Sequence, residues 1–242
     1  MMKGYVAYLD IIGFSELVRK LEFLESFEQY SKIIENSINN ASIKMKYILF
    51  SDNLVINTEK DDLEDLELLC KVLSEINFRL LTEMGLPICG CISVGDFSRA
   101  EKNGNVIIVG TPIVDAVRYE EKQDWIGIML SPSVIEKNPT LIEKTNLWAK
   151  RLDEIKVHLP WPLFLQRYGE IPFQDGNVFD GYVIVPRHPG SNHFDLINVD
   201  LMLYREKLIE LKLSAPDPHA QNKYDGTLDY IHSVLIEFQR ML

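Results

Sequence analysis

The chain has 242 residues, enough for one large domain or one domain with an elaborated tail, and a 46% hydrophobic content is ample for a packed core. Its formal net charge of −11 argues against a nucleic-acid-binding surface, which would show clustered Lys and Arg. A small anionic ligand is not excluded, because its charge can be met locally by a metal ion, backbone N–H groups and a few basic side chains. Cys70, Cys89 and Cys91 lie in apolar surroundings with no second pair to complete a zinc site. They are expected to be free, buried thiols in a reducing cytoplasm. Met1-Met2-Lys3-Gly4 leads directly into strand-like sequence without a signal-peptide pattern, and no apolar stretch reaches the length of a membrane span. The expectation is a cytoplasmic protein with neither nucleic acid nor membrane as partner.

In chain order, residues 4–9 read as a buried strand. Gly13 breaks it, and Ser15-Glu16 opens an amphipathic helix to about residue 39, with Leu17, Val18, Leu21, Leu24, Phe27, Tyr30, Ile33, Ile34 and Ile38 at three- and four-residue spacing. Residues 43–51 and 53–58 predict a hairpin turning tightly at Ser51-Asp52-Asn53. Asp61-Asp62 opens a second helix that ends at Gly85. A strand at 87–97, a polar loop at Glu101 to Asn105, a short strand 106–109, a helix at 112–121, a strand at 125–130 and a short helix from Ser131-Pro132 follow. The order β-α-β-β-α-β is the ferredoxin-like, split-βαβ arrangement, an α/β (α+β) fold whose helices cover one sheet face and leave the other for a site. Beyond residue 140 the pattern weakens at Leu159-Pro160-Trp161-Pro162 and Pro172. Strands at 181–185 and 196–199 and helices at 199–213 and 225–241 are expected. The chain is thus read as a core over residues 1–140 and a C-terminal strand and helix extension over 141–242, packed on it.

Two segments carry the chemistry. Tyr8-Leu9-Asp10-Ile11-Ile12-Gly13-Phe14-Ser15 and Leu49-Phe50-Ser51-Asp52-Asn53-Leu54 each set an aspartate where an apolar strand surfaces. Two carboxylates brought together from different strands repel unless a cation lies between them. Hard divalent ions such as Mg²⁺ are held by one or two such groups together with substrate phosphates. Aspartate also serves as a strand-end cap or turn residue, and that reading stays open for each position alone. His188-Pro189-Gly190-Ser191-Asn192-His193 reads as a turn rather than a metal site, and Arg99 and Lys102 as solvated loop charges.

Asp10-Ile11-Ile12-Gly13-Phe14-Ser15 resembles the first metal motif of class III nucleotidyl cyclases, Ser51-Asp52 the second, and Gly110 followed eight residues later by Arg118 the helix that delivers a transition-state arginine. The resemblance spans about residues 4–137. It implies that Asp10 and Asp52, with the Ile11 carbonyl, hold two divalent cations, Mn²⁺ or Mg²⁺. It further implies that Ile12, Gly13, Phe14 and Ser15 offer backbone N–H groups to the triphosphate, that Arg118 stabilises charge on the α-phosphate, and that a homodimer shares its sites between subunits. The chain departs from the purine-specific pattern. Ile48 stands where a base-reading lysine is usual, Ile107 where a polar residue is usual, and Val114, beside Asp115, where a transition-state asparagine is usual. Ile48 and Phe50 alternate onto the side of Asp52 and present an apolar wall to the base. In these departures and in its stand-alone layout the chain is similar to the pyrimidine cyclases of bacterial Pycsar antiphage systems. That likeness implies conversion of UTP, or CTP, to a cyclic monophosphate as an alarm signal. An adenylate or guanylate cyclase reading its base from the C-terminal extension, and a non-catalytic nucleotide sensor, are the alternatives.

Overall fold

A computed structural model describes residues 1–14, 18–19, 21–41, 44–140, 165–191, 194–215 and 218–240. Ser15 and the Leu159–Pro162 segment lie outside the described residues. The elements are β1 (Met2–Ile11), α1 (Leu21–Asn39), β2 (Met45–Phe50), β3 (Asn53–Thr58), α2 (Leu63–Met84), β4 (Ile88–Lys102), β5 (Asn105–Gly110), α3 (Thr111–Lys122), β6 (Gly127–Leu130), α4 (Pro132–Lys137), β7 (Leu165–Pro172), β8 (Val178–Ile184), α5 (Phe194–Ser214) and α6 (Pro218–Arg240).

Strand order across the eight-stranded sheet is β2-β3-β1-β4-β6-β8-β7, with β5 paired to the far end of β4. The first four strands and two helices have the expected ferredoxin-like order. β1 is central and antiparallel to both β3 and β4, and β6 then adds parallel to β4. Alternation along β1 divides its side chains cleanly. Tyr5, Ala7, Leu9 and Ile11 join Leu54 and Ile56 of β3, Ile88 and Ile92 of β4 and the inner residues of α1 and α2 in one apolar cluster. A second cluster gathers Cys91, Met129 and Val183 with Ala116 of α3 and the buried residues of α5 and α6. The three cysteines are buried free thiols.

Local chemistry sets the element ends. The Asp62 carboxylate caps α2 by accepting from the Asp65 N–H at 3.0 Å, and Gly85 closes the helix in the left-handed region at φ 67°. α3 lies against the sheet because two glycines let it. A Cβ at Gly95 would come within 2.8 Å of the Thr111 hydroxyl, and one at Gly110 within 2.5 Å of the Asp96 carbonyl oxygen.

Several expectations are corrected. β4 runs on to Lys102 and turns at Asn103-Gly104 into β5, so the polar segment is the tip of a hairpin arm rather than a loop. Arg99 is not a solvated charge. Its side chain is 6% exposed and donates to Asn57 Oδ1 and to the Tyr47 carbonyl, tying β4 to β3 and β2. Leu196–Val199 is the opening of α5, not a strand, and β7 was not anticipated. Phe27 is half exposed rather than part of the inner face of α1. The 188–191 segment is a turn, with the Ser191 N–H donating to the His188 carbonyl. Among the described residues no helix is long and apolar enough to cross a membrane.

Candidate active site

Strand register brings the two aspartates to one end of the sheet. Asp10, at the end of β1, lies opposite Asn53, the first residue of β3, and Asn53 in turn pairs with Phe50 of β2. Asp52 sits in the intervening two-residue turn, where Ser51 takes a left-handed conformation at φ 56°. The Ile11 N–H donates to the Asp52 carbonyl at 3.2 Å, stitching the end of β1 to the turn. Asp10, Asn53 and Phe50 therefore form a row across three strands on the sheet face that α3 crosses.

The electrostatics of the pair follow from that placement. Burial, and then the negative charge of Asp52, push the Asp10 carboxyl up to about 6, while Lys223 on α6 pulls the other way. A third carboxylate, Glu120, projects from the inner face of α3. Burial and then the charge of Asp10 raise it to about 7, and Lys223 and a hydrogen bond with the Cys89 thiol oppose the rise. The Tyr8 hydroxyl is held protonated, pushed up to about 12 by burial and by Asp10, Glu120 and Asp52. Lys223 is brought there by the C-terminal helix. One turn further along α6, the Thr227 hydroxyl bonds both the N–H and the carbonyl of Ile126, at 2.7 and 3.0 Å.

The remaining expected residues fall as follows. The Ile12 N–H donates to the Pro87 carbonyl at 3.0 Å and so is not free for an anion. Gly13 is exposed at φ 75°, with no described residue within 4 Å of where a Cβ would stand, and the Phe14 side chain is buried in the core under α1 and α2. Ile48 is half-buried. Phe50 is 76% exposed, so it does not pack in the sheet interior. Arg118 stands on the outer face of α3, one turn from Val114, and makes no ion pair among the described residues. Asp115 is turned toward the sheet, where its charge reaches Cys91. Tyr8, Asn53, Glu120 and Lys223 are neighbours of the pair that linear reading missed. For Glu120 the signal was its helical spacing from the buried Pro112 and Ala116.

Among the described residues no three His, Cys, Asp or Glu side chains close into a ready-made metal cluster. The donor set is two hard carboxylates with open positions. It fits Mg²⁺ or Mn²⁺ held jointly with substrate phosphates, and does not fit a self-sufficient structural zinc site.

Comparison with a solved structure agrees with this topology. The chain superposes on the adenylyl cyclase CyaB from P. aeruginosa with a TM-score of 0.50 and 13% sequence identity, over 77% of this chain and 95% of that one. The mixed α+β fold matches that of this cyclase. The guanylyl cyclase domain of the RhoGC fusion protein from the aquatic fungus Blastocladiella emersonii also matches, at a TM-score of 0.46 and 13% identity, over 58% of this chain and 85% of that one. No protein-family model matches the chain, and no curated protein is similar in sequence.

Proposed function

We propose that the chain is a nucleotidyl cyclase converting UTP, and less favourably CTP, to the 3′,5′-cyclic monophosphate and pyrophosphate, in the service of antiphage signalling. The observation that carries the reading is the convergence of Asp10, on β1, and Asp52, on the turn between β2 and β3, onto one end of the sheet, where their like charges repel. A pair of mutually repelling carboxylates destabilises the fold unless a cation offsets it. Cations bound there would supply Lewis acidity at the ribose 3′-hydroxyl and neutralise charge on the triphosphate. Asp10 and Asp52, with the Ile11 carbonyl, would hold them, and backbone N–H groups of Gly13, Phe14 and Ser15 would receive the β- and γ-phosphates. The 3′-hydroxyl gives up its proton to solvent, its oxygen forms a bond to the α-phosphorus as the bond to the bridging oxygen breaks, and pyrophosphate leaves. Arg118 offsets the charge gathering on the α-phosphate.

Arg118 faces away from the Asp10 of its own chain, which supports a second subunit completing the site. β5 supports the same reading. Val106, Ile107 and Val109 are all exposed on a strand whose outer edge has no partner among the described residues, and Val114 is 66% exposed on the outer face of α3. Apolar surface of that kind is what a second copy would cover, and a two-fold axis would then generate two equivalent sites. Base choice is assigned to Ile48 and Phe50. They offer a stacking and packing surface without the polar groups a purine edge demands, and an unpaired purine edge would be costly to bury. In this reading residues 1–140 form the catalytic core and 141–242 an extension. The test is incubation of the protein with each of the four nucleoside triphosphates and Mn²⁺, followed by product separation. Cyclic UMP as the major product is expected. A purine cyclic nucleotide would move the assignment to an adenylate or guanylate cyclase, and no cyclic product from any of the four would overturn the catalytic reading.

A further inference from the structure

Asp52 does not stand alone on its turn. The Tyr8 hydroxyl donates to Asn53 Oδ1, and Asn53 Nδ2 donates to Asp52 Oδ1 at 2.8 Å. We propose that Tyr8 and Asn53 form a relay that positions the Asp52 carboxylate for divalent-cation binding, an inference that rests on the metal reading of Asp10 and Asp52 above.

The relay works because an amide has two unlike ends. With its carbonyl held by the phenol, the Asn53 side chain can direct only its NH₂ group at Asp52. Rotated by half a turn, it would set its oxygen against a carboxylate oxygen, lone pair against lone pair. The bond to Asp52 is charge-assisted, which makes it shorter and stronger than a neutral one. It engages Oδ1 and leaves Oδ2 for a ligand. Register makes the geometry possible. Tyr8 lies two residues before Asp10 on the same face of β1, opposite Val55, so its hydroxyl meets Asn53 on the diagonal between neighbouring strands. A phenol with its ordinary value of about 10 is protonated, and therefore a donor, at neutral pH. Asp52 sits on a two-residue turn, where a lone aspartate would rotate among several rotamers. Outer-shell partners of ligating carboxylates set orientation, and their loss typically weakens metal affinity roughly ten- to a hundredfold.

The test is Mn²⁺ titration of the full chain without nucleotide, followed by the electron paramagnetic resonance signal of free Mn²⁺, for the parent, Tyr8→Phe, Asn53→Ala, the double variant and Asp52→Asn. Tyr8→Phe keeps the ring and loses only the donor. It should weaken Mn²⁺ binding by roughly tenfold, Asn53→Ala by as much or more, and the double variant no further than Asn53→Ala, because the two act as one unit. In turnover assays the Mn²⁺ concentration for half-maximal rate should rise by the same factor, and saturating Mn²⁺ should bring the rate back toward that of the parent. Melting temperature without metal should stay within a few degrees, which a merely structural role would not predict. Parent-like Mn²⁺ binding in both single variants, with binding lost in Asp52→Asn, would overturn the relay and leave the metal site standing. Parent-like binding in Asp52→Asn as well would overturn both, since there would be no metal carboxylate to position.

Discussion

On β1, Tyr5, Ala7, Leu9 and Ile11 enter the apolar cluster beneath α1 and α2, while Tyr8 and Asp10, their immediate neighbours, turn to the face that α3 crosses. The first face is closed, apolar and fully buried. Near Asp10 the second carries two carboxylates on the sheet, a third on α3, and an exposed aromatic ring in the same row. One strand thus supplies stability through its odd residues and strained electrostatics through its even ones. The comparison separates effects that mutation usually confounds. Damage to the first face should be read as lost stability, and damage to the second as lost chemistry.

The largest contrast lies between two nearby β3 and turn positions. Asp52→Asn keeps shape and removes charge, so turnover should fall by orders of magnitude while the metal-free melting temperature holds or rises slightly as repulsion with Asp10 is relieved. Ile56→Ala, on the opposite face and fully buried, should cost about 2–5 kcal/mol in denaturant unfolding and leave the base preference of the surviving enzyme unchanged. If Asp52→Asn keeps near-normal turnover, the second face is not catalytic and Asp52 is a turn residue.

Phe50→Ala sharpens the comparison within the second face. Its ring is 76% exposed, so the substitution should barely change the melting temperature. Loss of a stacking contact of about 1–3 kcal/mol should weaken use of UTP roughly ten- to over a hundredfold and let ATP or GTP compete. An unchanged preference among the four triphosphates would return base reading to the strand around Ser93 or to the C-terminal extension.

A smaller effect is expected from pH. The Asp10 carboxyl is raised to about 6 in the folded chain from its ordinary value of 3.8, and Glu120 to about 7 from 4.5. Both groups bind protons more tightly folded than unfolded. Their contribution to stability is therefore lost as pH rises through the folded values and is recovered as pH falls. Without metal, the melting temperature should increase between pH 7.5 and 5.5, with a shallower slope in Asp10→Asn. Added Mn²⁺ should flatten or invert the trend, because the bound cation favours the ionised carboxylates. A parent slope identical to that of Asp10→Asn would place Asp10 in an ordinary solvated environment.

The same division explains what was legible in the sequence. Asp10 and Asp52 stand out as candidates because each ends an apolar run, and the ferredoxin-like core was readable because its strands and helices keep clean periods. β7 was hidden by its own exposure. Gln166, Arg167, Gly169 and Glu170 give it no hydrophobic alternation, and Pro172 at its end reads as a break. Leu196–Val199 resembled a strand because α5 is apolar on both sides, with Ile197 buried and Leu196 and Val199 exposed. The neighbours of the aspartate pair were beyond linear reading for a different reason. The Tyr8 to Asn53 hydrogen bond depends on cross-strand register, and Lys223 approaches Asp10 only through the packing of a helix more than two hundred residues away in the chain.

The most direct measurement of the central claim, that this sheet face is one half of a shared catalytic site, is a mixing experiment. Asp52→Ala chains and Arg118→Ala chains, each inactive alone, are combined with UTP and Mn²⁺. The account predicts partial recovery of cyclic UMP formation, to a fraction of the parent rate, because a mixed dimer regains one intact site. Mixtures that recover nothing at any ratio, while still forming dimers, would contradict it.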